Sequence, residues 1–569
     1  MKIFHSFPLE KNKFISLIVV YTFCSILLCS CGKKSPGTAP VVTPPATSFS
    51  AKSITINGRQ KTSLDYNINT TPLIKFSFST AIATESVSNS FSFVAGSASV
   101  PFNATFSNGD SVVTIQSTGA LNFLARYVIT ASPTLKSKTG GNLVTAASLT
   151  FITQVDSTDK FPRISDDALL DTIQKRTFKY FWDFGHPVSG MARERNTSED
   201  VVTTGGTGFG IMSMIAAASR NFIARADALQ RINTIVDFLT GKCIRYHGAF
   251  AHWINGATGA TIPFSQYDNG GDLVETSYLI QGLLCVRQYF NNANADEDSL
   301  RAHINNLWNG VKWNWFRQNS QNVLYWHWSP DYNFQINQQI KGWNEALIVY
   351  VLAASSNTDS IPRIVYDNGW ASNGAIKNGN TYYGVSLPLG PNLGGPLFFS
   401  HYSFLGINPH DLTDAYANYF DQNTAHSKIN FNYCVANPKN YYGYSNLNWG
   451  LTASDDNISG YSAHAPDNDD GVITPSAAIS SLPYTPEQSM AALKFFYYTL
   501  GDKLWKQYGF VDAFNLNDLW YADSFLAIDQ GPEIVMIENY RSNLLWNLFM
   551  SCPEIKRGMK QLGFQSPNL

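Results

Sequence analysis

A ring of α-helices preceded by a small antiparallel β-sandwich is the fold this sequence predicts. Three observations predict it. Between about 52 and 153, apolar and polar residues alternate at period two; from about 165 onward the apolar period is helical. The helical part runs to about 400 residues and holds roughly ten to twelve such segments separated by long aromatic loops, which suits a toroid of helical hairpins. The expected class is mainly α, with an all-β unit in front. A chain of 569 residues exceeds what one core of ordinary size organises, so two domains are expected.

The first thirty residues read as a targeting segment. Lys2, Lys11 and Lys13 precede the apolar run FISLIVVYTFCSILL (14–28), which is short for a membrane span of about 20 residues and suits the core of a signal peptide. The sequence LCSC at its end resembles a bacterial lipoprotein cleavage box, with Cys31 as the residue to be acylated. An ordinary secretory signal with incidental cysteines is the alternative. Residues 1–30 are therefore expected to be removed, and 31–50, rich in Pro, Ser and Thr, to form a tether. That places the mature protein in the cell envelope, held by lipid on Cys31 and facing the periplasm or the cell surface.

The segments LIKFSFS, SFSFVA, FNATFS, SVVTIQS, YVITAS and SLTFIT, punctuated by Ser, Asn, Gly and Pro, predict a sandwich over 51–155. It carries no Cys or His and only scattered carboxylates, which favours a spacer over a sugar-binding module. Its pattern resembles the Ig-like modules that precede catalytic domains in exported bacterial proteins.

After DSTDKFPRIS the second domain, 162–569, begins. In DDALLDTIQKRTFKYFWDF the residues Leu169, Leu170, Ile173, Phe178, Phe181 and Trp182 fall near one face, with Ser165 as N-cap. Helical patterns recur near 207–219, 224–240, 272–291, 296–317, 340–355, 410–423, 474–481, 485–500 and 532–549. TPEQ offers Thr485 as N-cap, Pro486 at N1 and Gln488 at N3, and Pro532 marks another N1. A closed ring of six inner and six outer helices leaves the inner-helix ends lining a cleft.

Net charge is -2, and no Lys/Arg run exceeds a pair, so nucleic acid is not an expected partner. Charged residues make up 14% of the chain against about a quarter in an average domain, and aromatic residues another 14%. Such a composition serves a large core or aromatic faces on which sugar rings stack. Cys24 and Cys29 belong to the signal. Cys243, Cys285, Cys434 and Cys552 lack any CxxC pairing, which argues against zinc; they are expected to be buried free thiols.

Candidate chemistry sits at three helix mouths. In QYDNGGDLVETSYLIQGLL, Asp272 and Glu275 form a capping-box pair. Capping does not explain Asp268, which lies before the Gly270–Gly271 turn that could fold it back beside them. In QQIKGWNEALIVYVL, Glu345 opens an apolar helix beside Trp343, an environment that keeps a carboxyl protonated; a first-turn Glu on a solvated face is the alternative. In the run 508–549, Asp512, Asp523, Asp529, Glu533 and Glu538 alternate with aromatic residues, and Asp529 precedes a Gly-Pro helix entrance, as active carboxylate or as N-cap. Arg541 is expected to pair with Glu538 and hold this lining. Surplus carboxylates in an aromatic wall suggest cleavage of glycosidic bonds, which needs one carboxyl to protonate the leaving oxygen and another to activate water or attack carbon. No HExxH, Walker or Gly-x-Ser-x-Gly motif occurs. TTGGTGFGIMSM (203–214) lacks the preceding strand of a dinucleotide site and reads as a tight helix entrance. DNDDG (467–471) has its glycine one place early for an EF-hand loop. Neither a metal nor a cofactor is expected.

Taken together, GGTGFGIMSM, YDNGGDLVETSYLIQGLL, KGWNEALIVYVLA, FFSHYSFLGINP, NWGLTASD, GVITPSAAISSLPYTPEQSM, YGFVDAFN and IDQGPEIVMIENYRSNLLW resemble the glycoamylase-like domain of Bacteroidetes, and more narrowly glycoside hydrolase family 144, whose characterised members cleave β-1,2-glucan. The match runs in order over about 163 to 562. The resemblance implies an (α/α)6 toroid, a glucan or gluco-oligosaccharide substrate, inversion, and no obligatory metal. It carries acidic cleft roles onto Asp268, Asp272, Glu275 and Glu345, with Asp529 a less direct transfer. Glu345 is the expected acid, and Asp272 or Asp529 the base. Trp253, Trp328, Trp343, Tyr402 and Trp449 are candidates for stacking on sugar, each with a core role as its alternative. A non-catalytic glycan-binding lipoprotein on the same scaffold, or a glycosidase of another linkage, are the competing readings. A monomer is expected.

Overall fold

The computed structural model describes residues 46–569; the signal segment 1–30, Cys31 and most of the tether lie outside the described residues. Alternation at period two is realised as ten strands: β1 (Ala51–Ile56), β2 (Arg59–Gln60), β3 (Asp65–Ile68), β4 (Ile74–Phe78), β5 (Phe91–Ala95), β6 (Ala98–Ser99), β7 (Phe102–Ser107), β8 (Val112–Ser117), β9 (Arg126–Ala131) and β10 (Ala147–Thr153). They form two five-stranded sheets, ordered β2-β1-β4-β8-β7 and β3-β10-β9-β5-β6. In β4, Ile74, Phe76 and Phe78 are buried, and in β9 Tyr127, Ile129 and Ala131. These inward residues of the two sheets make one apolar cluster, in which Phe76 meets Phe91 edge-on at 5.1 Å.

The helical part is a ring. Its inner members are α2 (Thr204–Ser219), α4 (Leu273–Tyr289), α6 (Leu347–Ser355), α7 (Tyr419–Ala436), α8 (Pro475–Ser480) and α10 (Ala527–Ser542); outside them run α1 (Asp166–Trp182), α3 (Arg225–Gly241), α5 (Ala295–Gly310), α9 (Pro486–Lys494), α11 (Leu544–Met550) and α12 (Pro553–Leu562). α2 packs on α4, α4 on α6, α8 on α10, and α10 returns to α2. Between α6 and α7 the ring is carried by short turns: Ser403 Oγ accepts from the Ile348 N–H, and Ser400 Oγ bonds His426 of α7 at 2.8 Å. A helix with neighbours on every side must be apolar all round, and α2, α4, α6 and α8 are buried along almost their whole length. The outer α1 is amphipathic instead. Its Leu169, Leu170, Ile173, Phe178 and Phe181 face inward, and Ser165 caps it by accepting from the Ala168 N–H.

The glycines of TTGGTGFGIMSM lie inside α2. A Cβ on Gly208 would stand 2.2 Å from the Tyr278 carbonyl oxygen, and one on Gly282 2.4 Å from that of Gly208, so these two positions let α2 and α4 touch backbone to backbone. A short strand, Val201–Thr203, does precede the helix and pairs with Trp253–Asn255, which corrects the expectation of no strand there.

Other local expectations are corrected as well. The apolar run after Glu345 becomes helical only at Leu347, so Glu345 sits in the turn before α6. Pro532 lies inside α10, and Asp529 in that helix's first turn rather than at its cap. The segment expected near 410–423 starts at Tyr419, where Asn418 supplies the cap. Pro486 does open α9, but the Thr485 hydroxyl bonds Ser481 and Ser489 instead of capping. The four described cysteines are free thiols, three buried and Cys243 half-buried.

Candidate active site

The mouth of α4 is built by a two-residue ladder in which Asp272 stands opposite His327. Asp272 is wholly buried and caps the helix, its Oδ1 accepting from the N–H groups of Val274 and Glu275, both at 2.9 Å. Its Oδ2 accepts from Trp326 Nε1 at 3.2 Å and lies 3.1 Å from His252 Nδ1 and 3.3 Å from His327 Nε2. Asp268 does fold back, as the glycine turn suggested, with Oδ2 3.1 Å from His327 Nε2. Glu275 departs from the capping box. It turns to the neighbouring helix, where Oε2 accepts from the Gly205 N–H at 2.7 Å and the Thr203 hydroxyl at 3.1 Å.

Burial pushes the imidazoles of His252 and His327 down, but the surrounding carboxylates outweigh it and lift both to about 9, so both are cations at neutral pH. Burial alone would raise Asp272; its hydrogen bonds with the two imidazoles win and hold it well below the usual carboxylate range. Glu275 is raised by burial and by the charge of Asp272, against the pull of His252. His252, Asp268 and Asp272 are also the group, among the described residues, whose donor atoms converge within 4.8 Å, close enough to hold a cation. The imidazolium protons already supply positive charge at that point.

Glu345 stands on the second wall. Asn344 Oδ1 accepts from the Ala346 N–H, and the Glu345 carbonyl accepts from the hydroxyls of Ser403 and Tyr278, which fixes the turn. Its carboxyl is lifted to about 7 by burial, aided by the charges of Asp272 and Glu275. Trp343 is not the neighbour that does this; it is buried among Trp370, Phe404 and Tyr419.

The third wall is the first turn of α10. Asp529 Oδ1 accepts from the Ser476 hydroxyl of α8 at 2.9 Å. Its carboxyl also interacts with that of Asp512, whose Oδ2 accepts from the Asp455 N–H at 2.7 Å. Asp455 in turn is held by Arg195 at 3.0 Å and by the Ser524 hydroxyl, and Arg195 also pairs with Glu194. Burial, then like charge, raises both Asp512 and Asp529. Tyr402 is buried between these walls: burial and the charges of Asp529, Glu345 and Glu275 all raise its phenol. Glu345, His252 and Tyr461 lie deep in the ring and yet keep solvent-accessible surface, which is what the floor of a cleft requires.

Of the expected stacking residues, Trp253 is half-buried beside His252, 4.8 Å from Phe264. Trp328 is half-buried against His247 at 4.5 Å, and alternation puts it on the opposite side of the ladder from His327. Tyr402 is buried under the cleft. Trp343 and Trp449 are corrections. Both rings are in the core, and the Trp449 indole donates to the Gln488 carbonyl at 3.3 Å. Arg541 is another. It pairs with Asp167 and Asp171, while Glu538 is taken by Arg220 at 2.7 Å. Both oxygens of Asp272 are occupied, by two backbone N–H groups on one and by the indole and two imidazoles on the other. In DNDDG, Asp469 accepts from Tyr433, Tyr444 and the Gly471 N–H, which accounts for its carboxylate. His252, His327, Asp455 and Arg195 were missed, and Asp512 was named among the carboxylates of 508–549 without a role. One signal could have found the first two: the His-Trp pairs in AHWING and WHWSP, the cations that a triple carboxylate mouth demands.

The glycoamylase family model, whose description is glucoamylase, matches residues 337–553. An exo β-1,2-glucooligosaccharide sophorohydrolase (non-reducing end) of Parabacteroides distasonis is 46% identical over an alignment of 431 residues that covers 72% of this chain and 59% of that protein, so the chain spans less than two thirds of its length. The crystal structure of an endo-β-1,2-glucanase from Chitinophaga pinensis, with sophorotriose and glucose, is 52% identical at a TM-score of 0.70, over 72% of this chain and all of that one. A β-1,2-glucanase structure from Parabacteroides distasonis, 37% identical at a TM-score of 0.69, is matched over 92% of this chain and 74% of its own.

Proposed function

We propose that this chain, which belongs to the glycoamylase-like family of β-1,2-glucan hydrolases, hydrolyses β-1,2-glucan or its oligosaccharides, with Glu345 as general acid and Asp529 as general base. One observation carries the reading. Glu345, in the turn before α6, is raised to a pKa of about 7 while keeping some solvent-accessible surface, and Asp529, in the first turn of α10, shares buried Tyr402 with it as a neighbour. In this mechanism Glu345 gives its proton to the glycosidic oxygen as that bond breaks. A water attacks the anomeric carbon from the opposite face, and Asp529 takes the proton the water loses, which inverts the configuration. The imidazolium cluster at α4 serves to bind and orient hydroxyls and to set the charge that Glu345 feels. Asp268 and Glu275 belong to that cluster, and Trp253 is the aromatic face beside it.

The finer parts of the reading rest on sequence. Residues 1–30 are taken as a signal and Cys31 as the lipidated residue, with 31–50 as a tether and 51–155 as an Ig-like spacer, all in the cell envelope. The relatives include both exo- and endo-acting enzymes, so the test must separate them. Purified protein is incubated with linear β-1,2-glucan, sophoro-oligosaccharides, laminarin and maltodextrin, and product size is followed with time. Products from the β-1,2-linked substrates alone are expected. A ladder means endo cleavage, and sophorose from the first minutes means exo; turnover of maltodextrin instead, or binding without turnover, overturns the proposal.

A further inference from the structure

The pair Asp512–Asp529 contains a problem in hydrogen bonding. Asp512 Oδ2 accepts from the Asp455 N–H, and Asp529 Oδ1 accepts from Ser476. The remaining oxygens, Asp512 Oδ1 and Asp529 Oδ2, are both buried with no hydrogen-bond donor, although the two carboxyls interact. Ionised carboxylates only accept, so two of them cannot bond each other; one proton between them turns the contact into a strong charge-assisted bond.

The groups around the pair decide which partner keeps it. Asp529 has the Ser476 hydroxyl and the attraction of Arg195, both of which favour its anion, against the charge of Asp455. Asp512 has the charges of Asp455 and Asp529 against it, with one backbone N–H in favour. Tyr402, Tyr461 and Glu533 also face Asp529, and none brings a positive charge. Glu194 lies farther out, on Arg195.

We infer that Asp512 is the positioning residue of the cleft base: it keeps the proton of the pair and donates it to Asp529 Oδ2, so that Asp529 is ionised and aimed. This deepens the functional reading above and rests on it. It also explains why a carboxylate so deeply buried can serve as a base. The neighbour, rather than the solvent, carries the proton that burial would otherwise force onto it, and the Asp455–Arg195–Glu194 chain anchors the neighbour.

Asn at position 512 mimics the protonated acid, since its carbonyl can accept from Asp455 and its amide donate to Asp529. D512N is therefore expected to keep kcat within about threefold of wild type, whereas D512A misplaces Asp529 and lowers kcat by about 10²-fold with KM little changed. An infrared difference spectrum at neutral pH between wild type and D512N is expected to show the loss of one buried protonated-carboxyl band, independently of activity. Thermal melts report whether either variant fails to fold. The inference is overturned if D512N is as inactive as D529N, which would make Asp512 itself the base or a relay, if D512A keeps wild-type kcat, or if no carboxyl band is lost. An E345Q variant that still hydrolyses overturns the parent reading and leaves the infrared result to judge Asp512.

Discussion

At the mouth of α4 three carboxylates stand among two imidazoles and an indole N–H, whereas at the mouth of α10 two carboxyls stand against each other with a hydroxyl and a backbone N–H. Depth in the protein is similar, yet the protons go to opposite places. In the first wall they sit on the bases, and Asp272 is held ionised below its usual range. In the second the pair of acids shares a proton, because the nearest cation, Arg195, is bound to Asp455 and only partly offsets burial. Glu345 belongs with the second kind, as it has only like charges for company. A buried carboxyl is thus not one chemical object; its nearest cation decides whether it is a fixed anion or a proton donor.

The sharpest break of this contrast is at Glu345. E345Q keeps the shape and removes the proton, and kcat should fall by about 10²–10⁴-fold with KM changed little. The same group sets the alkaline side of the kcat/KM profile. Activity requires the protonated form, so it should decline as pH rises through about 7. A profile flat to well above that value would return Glu345 to a passive role.

Next in size is the removal of the fixed anion. D272A leaves His252 and His327 without their common partner and α4 without its cap, and breaking a buried ion pair costs about 3–5 kcal/mol. Chemical denaturation should show this loss. D272N, which can still cap, should lose less than D272A, and both should lose more than D268N. Equal stability of D272A and wild type would mean the cluster is not the charged lattice described here.

The pH dependence of stability separates the walls more gently. His252 and His327 are raised from 6.5 to about 9, so the stability they contribute is complete below about 6.5 and is lost as pH rises through about 9. Asp272 runs the other way; its depressed pKa stabilises the fold above the unfolded value and fails only in acid. Tm should therefore decline between pH 6.5 and 9, and the decline should be smaller in H252Q. A Tm that rises over this window contradicts the assignment of charge.

How far the sequence could be read follows the same division. Period and caps are local, so the alternation of 51–153 and the apolar face and Ser165 cap of α1 were legible. The carboxylates at three mouths were legible too, because α4 and α10 carry them within a turn of their starts. What set their protons was not. His252 reaches Asp272 over 20 positions, His327 over 55, and Asp512 touches Asp455 over 57, distances at which no periodicity reports. The indole beside Glu345 misled for a local reason: adjacency in sequence put Trp343 at the site, while the turn put its ring in the core.

The smallest effect tests that last distinction. Trp449 and Trp253 are the same residue type, one in the core with its N–H on the Gln488 carbonyl, the other half-buried beside His252. If burial rather than residue type decides the role, W449F should cost about 1 kcal/mol, the net worth of one hydrogen bond plus a small packing change, and leave KM alone. W253A should do the converse, raising KM for sophoro-oligosaccharides several-fold, since base-free aromatic stacking of a partly exposed ring contributes through binding, with a smaller effect on Tm because the ring already faces water. Exchange of these outcomes, a KM effect at Trp449 with none at Trp253, would mean that the cleft reaches the buried cluster around Trp449.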